Sequence, residues 1–312
     1  MKTAFVFPGQ GSQKVGMASA MVQAYSWAAE MAARTDAVLG RPLTGTCFNG
    51  PEEALKQTVN TQPAIFFASA LMVEAARREG VAFEAVAGHS LGEYAALYAA
   101  GVVEYDDLLR LVDARARAME TACPAGVGAM SAVLNLDRAL LEEVCAAASD
   151  LGVCVVANYN CLGQLVISGA AAAVAKAGKL AAEKGARRVM PLDVSGPFHS
   201  PLMQPARDAL AVAVEKVVFR DAKVPVYTNV DAAPTTSAAE FRRKLLEQLT
   251  GSVRWEDTIQ RMVADGFGRF IELGTGKVLN GLIKKIAPAA ELAAAGDPES
   301  FAALLGQAKA AS

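Results

Sequence analysis

The sequence predicts an α/β protein in two parts: a large domain with a mostly parallel sheet, and a small inserted ferredoxin-like domain of βαββαβ order. Three observations carry that reading. Short apolar runs alternate with longer helical periodicities at both ends of the chain, the pattern of a parallel sheet wrapped by helices. The middle departs from it, with two strands joined by a short turn and flanked by two helices, the split ferredoxin-like order. Finally, the apolar run at 84–87 passes through Gly88-His89-Ser90-Leu91-Gly92 into a helix, a tight strand-turn-helix unit. The large domain is then 1–124 and 194–312, and the small one 125–193.

In chain order, AFVF (4–7) reads as a buried strand stopped at Pro8-Gly9. EEALKQ (52–57) and residues 64–80 read as helices, the second closed by Gly80. EAVA (84–87) is a second buried strand, and the helix from Leu91 to Ala100 ends at Gly101. Residues 105–122 form a helix with acids in its first turn. In the insert, GAMSAVLNL (128–136) is a strand, followed by a helix that Asp137 caps. VCVVANYN (153–160) and QLVISG (164–169) are strands joined across Gly163; a helix and the strand RRVMPLDV (187–194) complete the unit. VPVYTNV (224–230) and RFIEL (269–273) return to the main sheet, and the Ala-rich tail after Pro288 reads as helical or frayed.

Composition excludes several classes. The 312 residues are 53% hydrophobic and 20% charged with a net charge of −2, which offers no electrostatic surface for nucleic acid or an anionic membrane. No apolar run is long enough to span a bilayer, and the opening MKTAFVFPGQ is too short for a signal peptide. The five cysteines are odd in number and show no C-x-x-C spacing, so reduced cytoplasmic thiols are expected rather than disulfides. No cluster has metal-ligand spacing, so no metal site is expected. Only two histidines exist, His89 and His199, which limits the choice of an imidazole base.

Ser90 has two readings. G-x-S-x-G between an apolar strand and a helix is the context of a nucleophile elbow in α/β-hydrolase-like folds, where flanking glycines relieve crowding at a strained turn. The alternative is a helix cap, with Glu93 three residues on completing a capping box. A catalytic serine needs a base. His89 is adjacent but points elsewhere at such a turn, whereas His199, in SGPFHSPLM (195–203), sits on a loop after a strand. No carboxylate between Ser90 and His199 is convincing; Asp193 reads as a strand-end residue.

On the helix 105–122, Leu108, Leu111, Val112, Arg115 and Met119 share one apolar stripe. Arg115 is therefore a charge on the buried face. It is either neutralised by an internal ion pair or a snorkelling stem, or it is a bidentate clamp for a carboxylate. Two glycine-rich segments fail as nucleotide loops: FPGQGSQ (7–13) has Lys14 where a third glycine belongs, and GTGKVL (274–279) lacks the upstream glycine and the final Ser/Thr.

Taken together, FPGQGSQ, TQPA (61–64), GHSLGEYAAL (88–97), the arginine in the following helix, GQLVISG (163–169), SGPFHSPLM and GTGKVLNGL (274–282) resemble the malonyl-CoA:acyl carrier protein transacylase family over essentially the whole chain. The resemblance implies an acyltransferase with Ser90 as nucleophile and His199 as general base and acid, working by ping-pong chemistry. It implies an oxyanion hole from the backbone N–H groups of Gln10 and Leu91. Arg115 would hold the substrate carboxylate, and the Gln248 backbone carbonyl would orient the histidine. Gln62, His89, Met119 and Phe198 would line the acyl pocket, with Asn160 a further candidate. Cys161-Leu162 replaces the Ser-Pro that many members carry after this asparagine. The implied partners are malonyl-CoA and acyl carrier protein, with no resident cofactor, in a cytoplasmic monomer serving fatty-acid synthesis. Lys14, Arg187, Arg188, Lys284 and Lys285 are candidates to meet an acidic carrier.

Overall fold

The computed structural model describes residues 1–310. Its ten strands are β1 Lys2–Phe7, β2 Ala85–Gly88, β3 Gly128–Leu134, β4 Cys154–Cys161, β5 Gln164–Ala170, β6 Arg188–Pro191, β7 Val226–Tyr227, β8 Pro234–Thr235, β9 Phe267–Leu273 and β10 Glu291–Ala295. They form a six-stranded sheet of order β10-β9-β1-β2-β7-β8 and a four-stranded sheet of order β4-β5-β3-β6. The larger sheet is parallel from β10 to β7, and only the β7–β8 pair runs antiparallel.

The central strands are apolar on both sides because both faces are covered. Phe5, Phe7 and Val86 point into one core with the helices Thr58–Arg78 and Tyr105–Thr121. Ala4, Val6, Ala85 and Ala87 point into the other, against Trp255, Ile259, Met262, Leu279 and Ile283 of the helices Trp255–Ala264 and Val278–Ile286. The smaller sheet is antiparallel in the expected ferredoxin-like order, with its own core of Val133, Leu141, Val144, Ile167, Val174 and Ala177. It meets the larger part through backbone bonds from Tyr159 N to Val253 O (2.9 Å) and from Val253 N to Ala157 O (2.8 Å).

Several elements depart from expectation. The helix expected at 64–80 begins at Thr58 and contains Pro63. Proline leaves the Val59 carbonyl without its helical donor, and Arg41 Nη2 supplies one at 2.7 Å. The Ala-rich tail contains a strand, β10, paired in parallel with β9 and followed by the helix Pro298–Ala310. Alanine favours a helix, but pairing along an open sheet edge overrides that preference. β7 is two residues long rather than seven, because Thr228 and Asn229 leave the ladder for side-chain bonds. β6 stops at Pro191, which has no N–H. Residues 14–50, unassigned from sequence, hold the helices Ser19–Ala24, Ser26–Leu39 and Leu43–Asn49. Among the described residues no helix is long and apolar enough to cross a membrane.

Candidate active site

The turn after β2 shows why its glycines are required. A Cβ on Gly88 would lie 1.9 Å from the Gly92 carbonyl carbon, and one on Gly92 would lie 2.0 Å from Phe7 O. Only bare backbone lets the strand, the turn and the neighbouring β1 approach so closely. Ser90 sits at the apex with φ of 51°, a left-handed conformation unfavourable for a residue with a Cβ. The turn brings Ser90 Oγ to His199 and Arg115. The helix Gly92–Ala99 has no side-chain cap, so the capping-box reading is not realised.

Ser90 Oγ lies 2.8 Å from His199 Nε2, and His199 Nδ1 lies 2.8 Å from the Gln248 carbonyl oxygen. A carbonyl only accepts, so Nδ1 carries the proton and Nε2 is the lone pair facing the serine hydroxyl. Burial and, to a lesser degree, the nearby Arg115 cation together push the His199 pKa down to about 3. The imidazole is thus neutral and ready to accept a proton. Its own backbone is also left-handed, with φ of 57°. Asp193 is exposed and plays no part in this chain of bonds.

Arg115 is 1% exposed on the helix Tyr105–Thr121. Its Nη1 donates to Gln62 Oε1 (2.7 Å), and its Nη2 donates to Gln248 Oε1 (2.9 Å) and Ser90 Oγ (3.1 Å). All three acceptors are neutral, Nε is buried without a partner, and among the described residues no carboxylate pairs with the guanidinium. Neither the ion-pair nor the snorkelling account survives. The guanidinium is a buried cation short of an anion, with a spare donor at Nε.

The loop after β1 closes over the turn. A Cβ on Gly9 would sit 2.4 Å from His89 O. Among the described residues, neither the Gln10 nor the Leu91 N–H has a protein acceptor, whereas the Ser90 N–H is taken by Asn229 Oδ1 at 2.7 Å. The Gln10 and Leu91 N–H groups are thus available as donors, whereas that of Ser90 is not. Gln62 Nε2 reaches Met119 Sδ at 3.4 Å, and Phe198 is buried beside Gly196. His89 turns away from Ser90: its Nε2 bonds Asn160 Oδ1 at 2.8 Å and its ring meets Trp255 edge-on. His89 and Asn160 thus join the two sheets. Lys14, Arg187, Arg188, Lys284 and Lys285 are all exposed, and Lys285 Nζ reaches Gln164 Oε1 at 3.3 Å.

Sequence reasoning missed Asn229 and the side chains of Glu93 and Gln248. Asn229 follows a short strand of the parallel sheet, where polar residues at the carboxyl end are candidates for a site. Glu93 is the one charge in a helix whose every residue is buried. A cavity of about 870 Å³ lies at the ends of β9 and β10, lined by Lys14, Lys277, Asn280 and Asp297 among others, beside the site rather than in it.

The model of the acyl transferase domain matches residues 4–296. This chain belongs to the acyl transferase family. It is 43% identical over 301 residues to a malonyl CoA-acyl carrier protein transacylase of Bacillus subtilis, covering 96% of this chain and 95% of the relative. It is 42% identical over 303 residues to its namesake in Escherichia coli K12, covering 97% and 98%. Among solved structures, an acyl carrier protein S-malonyltransferase from Vibrio cholerae superposes with a TM-score of 0.95 at 40% identity, covering 97% of this acyltransferase and 100% of that chain. A second, described as a type II PKS acyl-carrier protein in complex with its malonyl-transacylase, superposes equally well at 39% identity, covering 98% and 100%.

Proposed function

We propose that this acyltransferase moves a malonyl group from coenzyme A to the phosphopantetheine thiol of an acyl carrier protein, supplying fatty-acid synthesis. One observation carries the choice of acyl group: a buried arginine without an anionic partner among the described residues donates to the hydroxyl of a serine already bonded to a neutral histidine. This supports reading Arg115 as a carboxylate clamp within one acyl chain of Ser90, the nucleophile of this reading.

In this reading, His199 Nε2 takes the Ser90 proton as Oγ attacks the malonyl thioester carbonyl. The N–H groups of Gln10 and Leu91 hold the oxyanion. The tetrahedral intermediate collapses, the C–S bond breaks, and the His199 proton leaves with the coenzyme A thiol. The carrier thiol then gives its proton to His199 and attacks the malonyl ester, and Ser90 recovers its proton as it departs. Both halves use the same pair, which makes the reaction ping-pong. Arg115 selects the carboxylate and holds the acyl group, while Met119 and Phe198 crowd a substituent at the α-carbon. Coenzyme A enters as part of the substrate, and the pantetheine thiol is carried by the partner.

The test is intact-mass analysis after mixing with malonyl-CoA. The expected result is one malonyl adduct, absent in Ser90→Ala, that disappears when acyl carrier protein is added while the carrier gains the same mass. Release of free malonate with no gain on the carrier would make the protein a hydrolase instead.

A further inference from the structure

Behind the catalytic pair lies a buried network that the proposed chemistry does not itself use. Glu93 is 1% exposed and forms no ion pair among the described residues. Its Oε2 accepts from Asn229 N (3.0 Å) and from Gln248 Nε2 (2.9 Å). Asn229 in turn grips the elbow at two points: its Oδ1 accepts the Ser90 N–H (2.7 Å) and its Nδ2 donates to Gly88 O (2.6 Å). Gln248 Nε2 also donates to Ser90 O (3.0 Å), its Oε1 accepts from Arg115, and its backbone carbonyl holds His199. One carboxylate oxygen therefore ties the two residues that between them hold the nucleophile, the base and the clamp.

We propose that Glu93 is a positioning residue for acyl transfer: its carboxylate locks Asn229 and Gln248, and through them the strained Ser90 turn and the His199 ring. The proposal rests on the reading of Ser90 as nucleophile. Its physical basis is threefold. Ser90 occupies a left-handed conformation that persists only where the surroundings enforce it; Asn229 supplies that restraint by bonding both Ser90 N and Gly88 O. A charged acceptor makes stronger bonds than a neutral one, so a carboxylate is the group that fixes an amide on each side. The Gln248 amide also has its orientation decided by charge, with its oxygen toward the Arg115 cation and its nitrogen toward Glu93. A reversed amide would face both charges wrongly. The surrounding charges are Arg115 and the pair Asp231–Lys244, which bond each other at 2.8 Å. Burial pushes the Glu93 pKa up to about 7, so its ionisation falls within an accessible range.

The experiment uses the full chain and a neutral fluorophosphonate ester, which needs an aligned serine and base but makes no demand on Arg115. Its rate of labelling at Ser90 is followed by intact mass from pH 5 to 9 in the wild type and in Glu93→Gln. The wild-type rate is expected to rise with pH as Glu93 ionises. In Glu93→Gln it falls by roughly tenfold to a hundredfold, the scale of a misplaced reacting group, and the rise near neutrality disappears. With malonyl-CoA, kcat falls in the same proportion while KM moves little. Should Glu93→Gln fail to fold, Glu93→Asp, which keeps the charge but withdraws the carboxylate by one methylene from Asn229 N and Gln248 Nε2, is expected to show the same drop in labelling. Wild-type labelling rate and pH profile in the folded variant overturn the positioning role while leaving Ser90 as nucleophile. Failure of the wild type to label at Ser90 overturns both.

Discussion

Arg115 Nη2 lies 3.1 Å from Ser90 Oγ, so a buried guanidinium touches the hydroxyl that His199 is placed to deprotonate. The contact has two consequences. The cation lowers the basicity of His199, and under the proposed function it lies within reach of an acid carried on an acyl group bound to Ser90. Arg115→Lys replaces the fork by a point charge and leaves Gln62 and Gln248 without their shared donor. The kcat/KM for malonyl-CoA is expected to fall about tenfold to a hundredfold, the cost of one or two charge-assisted bonds. Steady-state transfer to the carrier protein measures it.

The elbow makes a stability prediction separate from catalysis. Ser90→Ala keeps a Cβ in the left-handed region, whereas Ser90→Gly removes it. The glycine variant is expected to be more stable than the alanine variant by about 0.5–1 kcal/mol, after the entropy glycine adds to the unfolded chain is subtracted. Urea denaturation of the two inactive proteins gives the difference directly.

Gly92→Ala tests the packing that shapes the turn. Its Cβ would lie 2.0 Å from Phe7 O, a backbone atom with no side chain to swing aside. A loss of about 1–3 kcal/mol is expected from overpacking, together with loss of serine labelling, because β1 and the turn must separate. Thermal denaturation and fluorophosphonate labelling report the two effects.

Stability against pH separates two of the buried titrating groups, His199 and Glu93. For His199, the unfolded chain binds a proton between the ordinary value of 6.5 and about 3 that the folded chain refuses. That contribution makes stability fall as pH drops through this window. Glu93 acts oppositely, holding a proton in the fold between 4.5 and about 7, so its contribution falls as pH rises. In His199→Gln the first slope, at most about 1.4 kcal/mol per pH unit for one proton, disappears. The wild type is expected to lose more stability than the variant between pH 6 and pH 4, as read by chemical denaturation.

Motif and periodicity made the residues proposed to react legible, and the supporting ones escaped for a physical reason. Ser90 and His199 stand out because the turn glycines and the scarcity of histidine are local facts of composition. Arg115 stands out because a charge on an apolar stripe violates a simple pattern. Asn229 and Glu93 act through bonds between residues more than 130 positions apart, and no local pattern encodes such distances. The same holds for the fold. The βαββαβ insert was readable from its order of elements, while β10 was hidden because alanine carries no strand signature and depends on the β9 edge. Pro63 hid the start of its helix because the compensating donor, Arg41, comes from another segment.

The central claim is that Ser90 carries an acyl group chosen by Arg115. The most direct measurement is the rate of adduct formation on Ser90 from malonyl-CoA and from acetyl-CoA, by rapid quench and intact mass, in the wild type and in Arg115→Ala. The account predicts that the wild type loads malonyl about a hundredfold or more faster, the equivalent of roughly 3 kcal/mol of carboxylate recognition. It predicts that this ratio collapses toward one in the variant, with acetyl loading retained. An unchanged ratio in Arg115→Ala would contradict it.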